Sequence, residues 1–170
     1  MALSKIDAAN FLTGTIPQGN VANASLGAVT ALPAAIPTGK VLQVVEAEIT
    51  SQISTTSNSY TDTGLNANIT PSSTSNKVLV MVTHSGARKQ TDTQLTFKLF
   101  RDTSVDLGQT GNYDSGDTHQ FTDTVTWTYL DSPNTTSLMN DKTQYISSNG
   151  TIYANSFKNK ITLMEIAGWL

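Results

Sequence analysis

The chain has 170 residues with ten Lys and Arg against thirteen Asp and Glu, a net charge of −3, and its basic residues are scattered, which excludes the clustered basic face that nucleic acid or an acidic membrane surface requires. Only 14% of residues are charged and 38% are hydrophobic, so the core is lean and the surface is made soluble by hydroxyl and amide groups, Ser and Thr together being about a quarter of the chain. There is no cysteine, which excludes disulfides, thiolate metal sites and thiol catalysis.

The chain opens on Met1-Ala2-Leu3-Ser4-Lys5, without the basic and then apolar run of a signal peptide. No apolar stretch approaches the roughly 18–20 residues that span a bilayer. The expectation is a soluble protein made in a cytoplasm, which leaves by lysis and not by secretion if it acts outside the cell. Ser4 and Asp7 have the spacing of a capping box, Ala8, Phe11 and Leu12 fall on one helical face, and Gly14 and Pro17 end the segment. So short a helix is marginal alone and must dock, which makes Ile6, Phe11, Leu12 and Ile16 the candidate anchor residues. From Val21 to Ile36, Leu26, Val29 and Leu32 recur at intervals of three but are interrupted by Gly27 and Pro33. This reads as an extended, packed arm, with a flexible leader as the alternative. Residues 1–39 are therefore expected to anchor or thread, and residues 40–170 to form the folded domain.

After Gly39 the texture is that of strands. Val41–Ile53 is β-branched. Val78-Leu79-Val80-Met81-Val82 is a continuous apolar run, which predicts a strand buried on both faces. Leu95, Phe97 and Leu99 alternate with Thr96, Lys98 and Phe100. Over Phe121–Leu130, Thr122, Thr124, Thr126 and Thr128 take one face, and Phe121, Val125, Trp127 and Tyr129 the other. That period of two predicts a sheet with one wet face. Ile152-Tyr153 and Ile161–Ala167 complete the set. Turn clusters stand at Thr70-Pro71-Ser72-Ser73, Gly108–Gly116, Asp131-Ser132-Pro133-Asn134 and Asn149-Gly150, the last being the strongest hairpin signal. Seven or eight strands predict an all-β antiparallel sandwich of jelly-roll type.

Chemistry is sparse. His84 ends a buried run and reads as a strand cap. His119, with Asp114, Asp117, Asp106 and Asp123, forms the one acidic neighbourhood, but its spacing fits no known calcium loop and a solvated turn is the expectation. Glu46 and Glu48 share a strand face and read as a solvent-facing pair rather than a glycosidase pair. There is no nucleophile elbow, phosphate loop or dinucleotide fingerprint. The Asn-x-Ser/Thr matches at Asn23, Asn68, Asn134 and Asn149 arise by chance in a chain this rich in those residues. Trp127 and Tyr129 are assigned to the core. Tyr113 is the better exposed aromatic. No enzyme activity, cofactor or metal is expected.

Six ordered strings resemble virion structural and tail-fibre-like proteins of marine bacteriophages. They are Gly39-Lys40-Val41-Leu42-Gln43-Val44-Val45, Tyr60-Thr61-Asp62-Thr63-Gly64-Leu65, Ile69–Val80, Phe97-Lys98-Leu99-Phe100-Arg101-Asp102, Tyr129–Ser137 and Ile161–Ala167. The resemblance implies a jelly-roll-like domain assembling as a homotrimer on the virion surface. Such a module would be a short tail fibre or spike, or else a capsid decoration or tail structural protein without a receptor ligand. A lean core independently favours shared burial between subunits. The expected partners are other virion proteins through the N-terminal arm and a host cell-surface glycan or protein through loops 103–120 and 131–141, with Tyr113, Asp114, Asp117, His119 and Asn134 as contact residues. Neither nucleic acid nor membrane insertion is expected.

Overall fold

A computed structural model describes residues 40–89, 93–113 and 121–168. The expected arm of residues 1–39, with Ile6, Phe11, Leu12 and Ile16, lies outside the described residues. Regular structure within them is entirely extended. The strands are β1 (Val41–Ile49), β2 (Ile53–Thr55), β3 (Thr61–Ile69), β4 (Lys77–Lys89), β5 (Leu95–Arg101), β6 (Val105–Tyr113), β7 (Phe121–Asp131), β8 (Met139–Ser147), β9 (Ile152–Ala154) and β10 (Asn159–Ile166).

They form two antiparallel sheets. In one, β1 pairs with β10, β10 with β4, and β4 with β7. The short strands β2 and β9 continue β1 and β10: β10 runs beside β4 from Lys77 to Thr83, and β9 takes up the same edge at Arg88 and Lys89. The second sheet has the order β3-β8-β5-β6. With β1/β2 and β9/β10 each counted as one interrupted strand, the chain crosses between sheets in jelly-roll order. The fold is thus the all-β antiparallel sandwich that the alternating patterns predict.

That topology revises several local expectations. Gly150 does adopt a left-handed turn (φ 79°), but Asn149-Gly150 joins β8 of one sheet to β9 of the other, so it turns a corner and closes no hairpin. Of the expected turn cluster Gly108–Gly116, Gly108 to Tyr113 are strand and continue β6 against β5, and residues 114–116 lie outside the described residues. Most of the expected loop 103–120 that is described is therefore strand.

The core lies between the sheets. Inward positions of β3 (Leu65, Ile69), β4 (Val78, Val80, Val82) and β10 (Leu163) are all essentially inaccessible, each such side chain contributing about 1.5–3 kcal/mol by leaving water. The run Val78–Val82 is fully buried on one face only. Leu79 and Met81 point outward and are half-buried, because nothing among the described residues layers over that side. Along β7, Val125 is buried and Trp127 half-buried, but Tyr129 is 38% exposed. The core assignment therefore fails for Tyr129, which lies on an edge strand with a neighbour on one side only.

Candidate functional site

Of the expected contact residues, Tyr113 and Asn134 fall among the described residues, and they lie far apart. Tyr113 ends β6 just before the segment leading to Phe121, whereas Asn134 follows Asp131 at the other end of β7. Eleven residues of strand separate the two ends, about 33 Å at a strand's rise. Asn134 is exposed and takes a positive φ of 52°. Asp114, Asp117 and His119 lie outside the described residues. Tyr113 and Asn134 therefore lie near opposite ends of β7. Among the described residues no group of three His, Asp or Glu is placed to hold a metal. Asp106 is instead ion-paired with Lys98 at 2.7 Å. Glu46 and Glu48 face outward, paired with Lys160 at 2.8 Å and Lys158 at 2.7 Å.

His84 is not a cap. It sits within β4, fully buried, stacked on Phe97 with ring centroids 4.4 Å apart. Its Nδ1 lies 3.0 Å from Asn155 Oδ1 and its Nε2 3.0 Å from Thr143 Oγ1. An amide oxygen only accepts, so Nδ1 carries the proton and Nε2 accepts from the threonine hydroxyl. The chain of bonds continues from Thr63 Oγ1 to Thr143 Oγ1 at 2.5 Å, and Asn155 Nδ2 donates to Thr63 O at 2.9 Å. Burial pushes the imidazole pKa down to about 4, against the opposing pull of Asn155. The ring is a neutral tie between the sheets and has no access to a substrate.

A second buried group lies at the Asn134 end. Arg101 of β5 pairs with Asp131, while Asp141 of β8, opposite Arg101 in register, is completely buried with no hydrogen-bond donor to either oxygen. Burial first, then the nearby charges of Asp131 and Asp102, raise its pKa to about 7, Arg101 opposing them.

The two outward faces differ in kind. On the β1-β10-β4-β7 sheet, register aligns Val44, Met164, Leu79 and Leu130 in one row across four strands. Val44 is 55% and Leu130 54% exposed. On the β3-β8-β5-β6 sheet the outward residues are amides and charges held by one another. Asp62 accepts from Gln144 at 2.6 Å and pairs with Lys142 at 3.0 Å. Burial pushes the Asp62 carboxyl up, but these donors outweigh it and hold it below its ordinary value. Asn140 donates to Asn66 at 3.1 Å and to Asn68 at 2.7 Å. Between Asp62 and Asn66 the register slips where Gly64 takes φ 82°. Above this bulge opens a cavity of about 180 Å³ lined by Asp62, Gly64, Leu65, Asn66, Asn140, Lys142 and Thr143.

No protein-family model matches this chain, and no curated protein matches it.

The sequence reading missed both outward faces. The apolar row was hidden because its members lie on four strands distant in sequence. The amide face was hidden because β3 and β8 carry no apolar run.

Proposed function

We propose that the chain is a non-enzymatic structural protein of a bacteriophage particle, a short trimeric spike or fibre whose sandwich faces the host. The phage assignment is supported by the six ordered strings that resemble virion structural and tail-fibre-like proteins. The oligomer is supported by one observation above the rest, the apolar row Val44, Met164, Leu79 and Leu130. A solvated monomer seldom leaves such a continuous apolar row open. Closed symmetry is the usual way to cover it, and three copies present three identical outward surfaces, so weak contacts to a cell surface add by linkage.

Light scattering on the full chain tests this reading. The expected mass is about 55 kDa, three times the 18.2 kDa of the chain. Leu130→Lys places a charge in the row and is expected to yield a folded monomer. A wild-type chain that runs as a clean monomer overturns the proposal.

A further inference from the structure

The geometry points to a binding site on the outward face of the β3-β8-β5-β6 sheet that takes one ring of an uncharged oligosaccharide. This deepens the host-contact part of the reading above and moves that contact from the loops to a sheet face.

Three features of the face carry the inference. The first is shape. The cavity of about 180 Å³ over the Gly64 bulge is smaller than the roughly 300 Å³ at which pockets for drug-sized molecules begin, so it accommodates a single ring-sized group. The second is preorganisation. Asn66 Nδ2 donates to Gly64 O at 3.0 Å, its Oδ1 accepts from Asn140, and Lys142 and Gln144 are fixed on Asp62. Each of these groups has donors or lone pairs beyond the bonds it makes. A sugar's hydroxyls both donate and accept, and they find both functions here without side chains having to be ordered first.

The third feature is the balance of charge and aromatic surface. Lys142 is neutralised by Asp62 and Lys98 by Asp106, so the face carries no excess charge to select an anion. Phe100 stands opposite Lys142 in the β5–β8 register. Lys98 Nζ lies 5.0 Å from the ring centres of both Phe100 and Tyr60, and the Tyr60 hydroxyl is held by Gln109 Oε1 at 3.0 Å. These half-buried rings provide flat apolar surface next to the amide-lined cavity. A sugar ring has the matching character, with an apolar C–H side and a hydroxyl rim.

Saturation-transfer NMR on the full chain tests the site, with chitotetraose and maltotetraose as neutral probes and a chondroitin tetrasaccharide as the anionic one. At least one neutral probe is expected to show saturable transfer that persists at high salt. Phe100→Ala and Asn66→Ala, both solvent-facing and checked for folding by circular dichroism, are each expected to weaken it about tenfold. No transfer to either neutral probe overturns the inference. So does transfer unchanged by both substitutions, or preference for the anionic probe that salt abolishes. A trimer that binds neither neutral probe sinks this site and leaves the structural reading standing. A monomer that binds one leaves the site and sinks the spike.

Discussion

Asp141 and His84 should give this protein a pH dependence that is hidden until one of them is removed. Asp141 is buried without a donor, and its pKa rises from 3.8 to about 7 on folding. An acid whose folded pKa is raised costs nothing below its unfolded pKa. Its penalty grows as pH rises from about 4 and is complete above about 7. At about 1.36 kcal/mol per unit the full penalty is about 4 kcal/mol. His84 runs the other way. Its pKa falls from 6.5 to about 4, so it costs nothing above pH 6.5 and about 3 kcal/mol by pH 4. Between about pH 4 and 6.5 the two slopes are equal and opposite, and the wild-type stability curve is expected to be nearly flat there.

Asp141→Asn keeps the shape and removes the charge. Urea unfolding at fixed protein concentration, from pH 4.5 to 8, is the assay. At pH 8 the variant is expected to be more stable by up to about 4 kcal/mol. Its stability should then fall with decreasing pH below 6.5, exposing the protonation of His84 in the unfolded chain. Parallel wild-type and variant curves, or a variant less stable at pH 8, would refute the reasoning.

Two further outcomes follow from geometry. Gly86 lies at a register shift in β4 with φ 73°, and a Cβ there would stand 2.5 Å from Ser156 Cβ and 2.9 Å from the Phe157 ring. Gly86→Ala is therefore expected to cost about 3 kcal/mol in a urea melt, and a loss below about 1 kcal/mol would mean that the Ser156–Phe157 turn yields easily. Glu165 is 1% exposed and accepts from Gln43 at 2.6 Å, from the Ser72 amide at 2.6 Å, from the Ser72 hydroxyl at 2.8 Å and from Asn76 at 2.5 Å. Burial pushes this carboxyl up, but the donors outweigh it and hold its pKa below 4.5, so the stability it gives is present above pH 4.5 and lost as pH falls further. Glu165→Ala should cost about 2–4 kcal/mol at pH 7 by leaving buried donors unpaired, and an unchanged melt would show that water replaces the carboxylate.

Both faces left open by the sandwich bear on the proposed role, and they divide the work by chemistry. The apolar row is suited to another subunit, whose burial of Val44 and Leu130 offsets the lean interior. The amide face is suited to a hydrated ligand. They lie on opposite sheets, so in the proposed trimer subunit packing over the first leaves the second open. The Leu130→Lys monomer should accordingly retain sugar binding.

The amino-acid order by itself determined that this chain is all-β, because alternation such as Thr122 to Thr128 against Val125 and Trp127 fits a half-wet sheet and nothing else. It also determined that Glu46 and Glu48 face solvent. It did not disclose β8, because β8 turns Asp141, Thr143 and Ser147 inward, and polar residues read as core only once their partners are known. Thr143 is acceptable there because His84 and Thr63, 59 and 80 residues away, complete its bonds. Nor did it disclose that Asn149-Gly150 crosses between sheets, since a two-residue signal fixes local φ and says nothing of which strand lies beside the next. The rows that define both outward faces come from register between strands far apart in sequence. Pairing of that kind is set by which faces must be buried together, and only the tertiary structure decides it.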